Sequence, residues 1–476
     1  MYDIIIIGAG INGGLLAYEL SKYNLKVAVL EKDNDVGNEA TAANSAIVHS
    51  GHDPKPNTLK AKLNVRGNEL FEDLCNELKV DFIRNGALVV ATDESELPKL
   101  NELYEQAIER KVPVRMIDRE EAIRLEPNLS DAVMKALDLP STGIISPWEV
   151  TIAAMESAVD NGVELFLNNK VVNVEKREGY FNIETNKSTY QTKIVINSAG
   201  LYSDDIYRMV SNQSSYRIQA RRGEYYVLDR AEKPVVSRTI YPLPSEKGKG
   251  VLVVPTIHNN ILLGPNSETI SDKEGKDNTA EALAYVKREV SKTVKNIPLH
   301  TVIRTYTGLR PTPDNHDFII EEAKDVPNFV NLIGIESPGI ASAPAITEYV
   351  MDTILKNLVS LEKKSEHKQR RPWVILNRMS VEEKQKHFEQ DSRFGQMICR
   401  CELVSEAEIV DVIHRNVGAK TVKAVKRRVR AGAGRCQGGF CEPRVINILA
   451  RELNLTPTEV LLDSDESRIL VGKTKE

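Results

Sequence analysis

A chain of 476 residues is longer than one hydrophobic core fills, so two or three domains are expected. A net charge of -5 and a pI near 6.0 give no global attraction to nucleic acid or to an anionic bilayer. No apolar run reaches bilayer-spanning length and no basic leader precedes the first apolar segment, so the expected location is the cytoplasm, with peripheral membrane contact left open.

Asp3-Ile4-Ile5-Ile6-Ile7 is apolar on both faces, as a buried parallel strand requires, and it breaks into Gly8-Ala9-Gly10-Ile11-Asn12-Gly13. A helix is expected over Leu15–Lys22 and a second strand over Lys26–Leu30, with Glu31 at its end. Each part has a mechanical reason. Gly8 allows the tight turn, Gly10 lets backbone approach a pyrophosphate, Gly13 lets helix pack on strand, and the helix N-terminus attracts phosphate. Glu31 can accept from ribose hydroxyls, which disfavours NADP. A bare glycine-rich turn would not carry the full strand, turn, helix, strand and acid order, so a dinucleotide site is expected.

The small, polar stretch Asn38–Gly51 can pass close to a flat cofactor, and His49 is its one histidine. Alone, such a histidine reads either as a structural hydrogen-bonder or as a base. A helix is expected over Lys60–Leu78, where Cys75 reads as a buried thiol. A strand follows at Ala87–Ala91, then charged helices from Glu94 to Glu126, and a helix opening at Pro147. Short strands are expected at Val171–Glu175, Tyr180–Glu184 and Lys193–Asn197, the last ending in Ser198-Ala199-Gly200. From Tyr216 to Pro311 the pattern is strand-rich, with Tyr225–Leu228, Val251–Val254 and Ile261–Leu263, and reads as an inserted antiparallel sheet roofing a substrate cavity. Phe329–Ile335 reads as a last buried strand before a glycine turn and a helix to about Leu358.

Lys363–Arg371 is a charged run that reads as a linker or solvated surface. No aromatic platform supports nucleic-acid binding there. Ser380 with Glu383, and Ser405 with Glu408, have capping-box spacing. Cys399, Cys401, Cys436 and Cys441 form C-x-C-x34-C-x4-C, a clustering that points to a metal site before disulfides. Four thiolates suit structural zinc or an iron-sulfur centre. Zinc pairs are usually C-x2-C, and these pairs are one tighter and one looser, which favours the cluster. Lys420, Lys423, Lys426, Arg427, Arg428, Arg430 and Arg435 precede Cys436 and would offset the negative charge of such a centre. The alternative reading of this basic helix is an exposed face or a docking surface for an acidic partner.

Residues 1 to about 360 resemble the D-amino-acid-oxidase-like flavoprotein superfamily, and within it the type II FAD-dependent glycerol-3-phosphate dehydrogenases and oxidases. The match is carried by Asn44–Gly51, Lys60–Asn68, Arg222-Gly223-Glu224-Tyr225, Gly308–Asp314 and Ser337-Pro338-Gly339. Met397 to about Leu462 resembles the bacterioferritin-associated-ferredoxin-like 2Fe-2S domain, through Cys399-Arg400-Cys401 and Gly434–Cys441. The resemblance implies an α/β Rossmann-like FAD domain (1–90, 147–215, 312–360), an inserted antiparallel-sheet substrate domain (91–146, 216–311), a linker (361–395), a small, mostly helical 2Fe-2S domain (396–465) and a tail (466–476).

It further implies FAD contacts at Gly8, Gly10, Ile11, Asn12, Gly13, Glu31, Lys32, Thr41, Asn44, Ser45, Ile47, His49, Val172, Ala199, Gly200, Gly308, Gly339, Ile340 and Ala341. His49 would take the C2 hydroxyl proton of an anionic alcohol. Arg310, in a turn feeding the last cofactor strand, would clamp the anion, a grip equally suited to phosphate or carboxylate. Lys249 and Ser337 would add phosphate contacts, although Lys249 also reads as a solvated turn lysine. The expected reaction is oxidation of sn-glycerol 3-phosphate, with electrons leaving through the 2Fe-2S centre to a partner protein or quinone. An L-2-hydroxyglutarate dehydrogenase and a non-catalytic flavin/iron-sulfur relay are the alternatives. A pure relay needs neither base nor clamp.

Overall fold

The computed structural model describes every residue except 214, 232, 245–249, 473, 475 and 476. The strand Tyr2–Ile7 is central because both its faces are apolar. Ile4 and Ile6 pack with Leu16, Leu20, Met155 and Ile346, while Ile5 and Ile7 pack with Leu30, Phe181 and Phe329. It pairs in parallel with Val27–Leu30 and with Thr189–Asn197. Glu164–Phe166 and Phe329–Ile333 extend the parallel core, and Val171–Arg177, Tyr180–Thr185 and Ile319–Glu322 complete eight strands. Helices Ile11–Leu20, Pro147–Asp160 and Gly339–Tyr349 contribute apolar side chains to the cluster on one face. The first helix starts at Ile11, straight from the glycine turn, and not at Leu15.

A second sheet of nine strands is built around Ile218–Leu228. Its pairs are antiparallel except Thr239–Pro242 with Ala87–Ala91, which run parallel. Ala87–Ala91 spans the boundary expected at residue 90 and pairs within this sheet. Five of its strands were not singled out in the sequence: Arg115–Asp118, Lys135–Leu139, Thr239–Pro242, Glu268–Ile270 and Val302–Pro313. Arg115–Asp118 lies where only charged helices were expected, because an edge strand with one fully buried apolar residue, Ile117, shows no usable alternation. Val302–Pro313 pairs with nearly all of Ile218–Leu228, so Arg310 stands inside a long strand and not in a turn. Pro311 and Pro313 had suggested a turn. They are tolerated because this strand has a ladder on one side only.

Segment 361–395 is largely exposed, as a solvated surface is, but it is anchored at particular residues. Lys363 bridges to Tyr23, and the Lys364 N–H donates to Lys22 O. The Arg370 side chain is 2% exposed and holds Glu156 at 2.7 Å, while Trp373 Nε1 donates to the other Glu156 oxygen at 3.0 Å. Beyond it, a short hairpin (Met397–Cys399, Val404–Ser405) and helices Glu406–Ile413, Val422–Val429 and Glu442–Leu453 form the cysteine module. Both capping boxes, at Ser380 and Ser405, are formed.

The basic helix is neither an exposed face nor directed wholly at the cysteines. Arg428, with a fully buried side chain, grips Asp35 through two bonds of 2.8 Å, and Arg427 reaches Asp35 and Asn38. Lys423 pairs with Asp463. Lys426 and Arg430 remain beside the cysteine loops, on Gln437 and Glu402. The module is thus seated on the loop that follows Val27–Leu30. Among the described residues, no helix is long and apolar enough to cross a membrane.

Breaking a buried ion pair from one side leaves an uncompensated charge, at a cost of about 3–5 kcal/mol. Asp35→Ala should therefore lower the unfolding free energy by that order, seen as a lower denaturant midpoint, and make segment 361–395 protease-sensitive. A midpoint equal to wild type would show that the pair does not hold the module.

Candidate active site and cysteine centre

One cavity of about 1890 Å³ runs along the C-terminal ends of the first sheet's parallel strands and under the second sheet. Gly8, Gly10, Ile11, Asn12, Glu31, Lys32, Thr41, Asn44, Ser45, Ile47, His49, Ala199, Gly200, Gly308, Gly339 and Ile340 all line it, as do Arg310 and Ser337. Lys249 lies outside the described residues. Three expected cofactor residues do not line it. Gly13 is a packing residue, because a Cβ there would sit 2.0 Å from Gly8 O. Ala341 is buried against the helix Leu59–Leu78, where a Cβ on Gly67 would meet its carbonyl at 2.1 Å. Val172 turns outward, 46% exposed, because strand alternation gives the inward position to Val171.

The cradle fits a dinucleotide cofactor. Gly8 has φ +101°, open only to glycine at low cost, and its Cα faces the Ser198 carbonyl. The Ile11 N–H donates to Thr41 Oγ1, and the buried Asn12 Oδ1 has no partner among the described residues. Glu31 accepts from the Ala9 N–H at 2.6 Å and the Asp33 N–H at 2.9 Å, leaving further lone pairs toward the cavity. Burial, with Asp33 nearby, pushes its pKa up to about 7. Lys32 is engaged by Asp33 and Glu39.

On the other side of the cavity, Asn68 and Asn64 donate to the His49 carbonyl and fix its backbone. His49 Nδ1 lies 2.8 Å from Tyr241 Oη, on the strand Thr239–Pro242. Burial holds Tyr241 well above the usual phenol range, so the hydroxyl stays neutral. With Nδ1–H donating to Tyr241, Nε2 presents a lone pair. The Arg310 Nη2 donates to the Arg222 and Asn266 carbonyls, and its Nε to the Arg221 carbonyl. Glu336, beside Ser337, accepts from Lys60 at 2.8 Å and Thr312 at 2.6 Å. Sequence reasoning missed Tyr241, Lys60, Glu336 and Asp35. Lys60 opens a segment already singled out and Glu336 adjoins another, but nothing local signals their pairing or the role of Tyr241.

The four expected cysteines gather in one knot, with Cys399 Sγ 3.7 Å from Cys401 Sγ and Cys401 Sγ 3.9 Å from Cys436 Sγ. Two thiolates on one tetrahedral metal at about 2.3 Å would lie about 3.8 Å apart. No three described His, Cys, Asp or Glu side chains converge on a point suited to a single ion. A hydrogen bond from Cys441, with the Gly432 and Glu402 N–H groups, pulls Cys399 down to about 5, while burial and neighbouring sulfur push Cys401 up to about 12. Such N–H groups favour bound thiolate. Cys75 is apart and buried, its thiol pushed up to about 12 by burial.

A family model described as FAD dependent oxidoreductase (DAO) matches residues 3–353, and one described as BFD-like 2Fe-2S binding domain matches 397–451. A glycerol 3-phosphate dehydrogenase of Caloramator mitchellensis is 52% identical over 478 aligned residues, 100% of this chain and 99% of that protein. A glycerol 3-phosphate oxidase of Mycoplasma genitalium is 32% identical, over 74% of this chain and 94% of its own. The solved structure of dithionite-reduced L-alpha-glycerophosphate oxidase from Mycoplasma pneumoniae with FAD bound superposes with a TM-score of 0.74 at 30% identity, covering 78% of this chain and 99% of that one. The chain therefore belongs to the DAO family of FAD-dependent oxidoreductases and carries a BFD-like 2Fe-2S domain after the flavin-binding region.

Proposed function

We propose that the chain oxidises sn-glycerol 3-phosphate to dihydroxyacetone phosphate, with His49 as base and Arg310 as phosphate anchor. The observation that carries this is the opening of both side chains into the cavity that also contains the dinucleotide cradle. His49 Nε2 takes the C2 hydroxyl proton as the C2–H bond gives up its electron pair, leaving a ketone. Tyr241 holds the ring, and this role requires the tautomer in which His49 Nδ1–H donates to Tyr241 Oη. Arg310 and Ser337 hold the phosphate end. When bound, FAD would supply the two-electron acceptor and a 2Fe-2S cluster a one-electron outlet. Gly8, Gly10 and Asn12 would hold the flavin nucleotide's phosphate region, Glu31 its ribose, and the four module cysteines the cluster. We infer that the final acceptor is a partner protein or a quinone. The hydroxy-acid and pure-relay readings have less support, given the full-length relative at 52% identity.

His49→Ala should slow anaerobic flavin reduction by glycerol 3-phosphate by about 100- to 10,000-fold, and an unchanged rate would remove His49 as base. Ribose hydroxyls need the ionised Glu31, whose ligand-free pKa is near 7. FAD affinity of the deflavinated protein, followed by fluorescence quenching, should accordingly rise from pH 6 to pH 8 by up to about tenfold per unit below 7, then level off. A flat profile would contradict that role. Cys436→Ser should abolish the cluster's visible bands while substrate still bleaches the flavin. Loss of both would mean that the centre is needed for the flavin site itself.

A further inference from the structure

The Arg310 end of the cavity is more cationic than a single anion anchor requires. Arg221 stands directly opposite Arg310 in the antiparallel pairing of Ile218–Leu228 with Val302–Pro313, so both side chains leave the same face of the sheet. Both line the cavity. The hydrogen bonds of Arg310 go to main-chain carbonyls, which are neutral and leave its charge uncompensated. On the opposite face, Glu224 and Glu268 are engaged by Arg222, which leaves Arg221 without a carboxylate partner among the described residues.

The field is correspondingly lopsided. Burial, and the charge of Arg221, hold Arg310 below the usual guanidinium range, while Lys60 and Arg221 both help hold Glu336 ionised. Three cations, Arg221, Arg310 and Lys60, face one carboxylate, Glu336, leaving two net positive charges among these groups. Two guanidinium groups facing each other repel until an anion bridges them. A phosphate monoester carries about -1.5 to -2 at neutral pH, against -1 for a carboxylate, so the surplus matches the phosphate. We propose that Arg221 is the second arm of a dianion clamp and sets the preference for a phosphate monoester over a carboxylate of similar length. This rests on the glycerol-phosphate reading above. Planar guanidinium forks on two sides of a phosphate satisfy more of its oxygens than one can.

The test uses the FAD-loaded full chain with Arg221→Met, Arg221→Lys and Arg310→Ala. Anaerobic flavin reduction gives the glycerol 3-phosphate affinity, and flavin spectral titration gives affinities for inorganic phosphate and for glycerate. Arg221→Met should weaken glycerol 3-phosphate and inorganic phosphate by about 10- to 100-fold, with KM rising more than kcat falls, while glycerate weakens by no more than about threefold. Arg310→Ala should weaken both classes of anion. Arg221→Lys should keep most of the phosphate affinity, and it carries the test if the methionine variant fails to hold FAD. Phosphate affinity unchanged in Arg221→Met, or glycerate weakened as much as phosphate, overturns the inference alone. A wild-type flavin left oxidised by glycerol 3-phosphate overturns it together with the reading on which it rests.

Discussion

The main chains of Gly8 and Gly13 touch so closely that a methyl group on Gly13 would lie 2.0 Å from the Gly8 carbonyl oxygen. This contact fixes where the first helix crosses the first strand, and with it the direction in which the helix N-terminus points. Ser198 Oγ closes the same junction from the third segment, donating to the Ile7 and Gly8 carbonyls at 3.0 Å. The loop Asp35–Thr41, the Thr41 cap on Ile11 and the seat of the cysteine module all hang from this junction. Bulk at Gly13 would separate strand from helix before it touched any ligand.

The arrangement around His49 is then shared between the small three-stranded sheet that contains Ile47–Val48 and the nine-stranded one. His49 follows the short strand Ile47–Val48, yet its Nδ1 partner, Tyr241, comes from the nine-stranded sheet. Strand Val302–Pro313 presses so tightly on the loop before His49 that a Cβ on Gly308 would lie 2.0 Å from the Ala43 carbonyl oxygen. Tyr306 donates to the Asn44 carbonyl from the same strand, and Tyr225 meets Ser45 from its neighbour. One strand therefore carries Arg310 and also clamps the segment that bears His49.

Local pattern made much of this legible. The isoleucine run, the glycine turn, Ala87–Ala91, both capping boxes and the cysteine knot each depend on residues close together in the chain. The errors came where partners lie far apart. Arg370 looked solvated because Glu156 is remote in sequence, and Arg428 looked available to the cluster because nothing near it announces Asp35. Val302–Pro313 was hidden by its prolines, whose lack of an N–H matters little on a strand with one open side. Val172 and Ala341 show a subtler limit, since a motif names a neighbourhood while strand or helix phase decides which side chain faces inward.

The seat of the cysteine module also bears on how the two architectures in this family relate. The mycoplasmal oxidase aligns over 94% of its own length but only 74% of this chain. Trp373, Ile409, Val425 and Leu449 belong to the same apolar cluster as Ile4, Leu16 and Met155, so deletion of the module would strip cover from the nucleotide-binding half and orphan Asp35 in the loop that follows Val27–Leu30. Here the BFD-like 2Fe-2S domain shares an apolar cluster with the nucleotide-binding half without lining the cavity itself, and a tail-less descendant would first have to replace that cover with new surface.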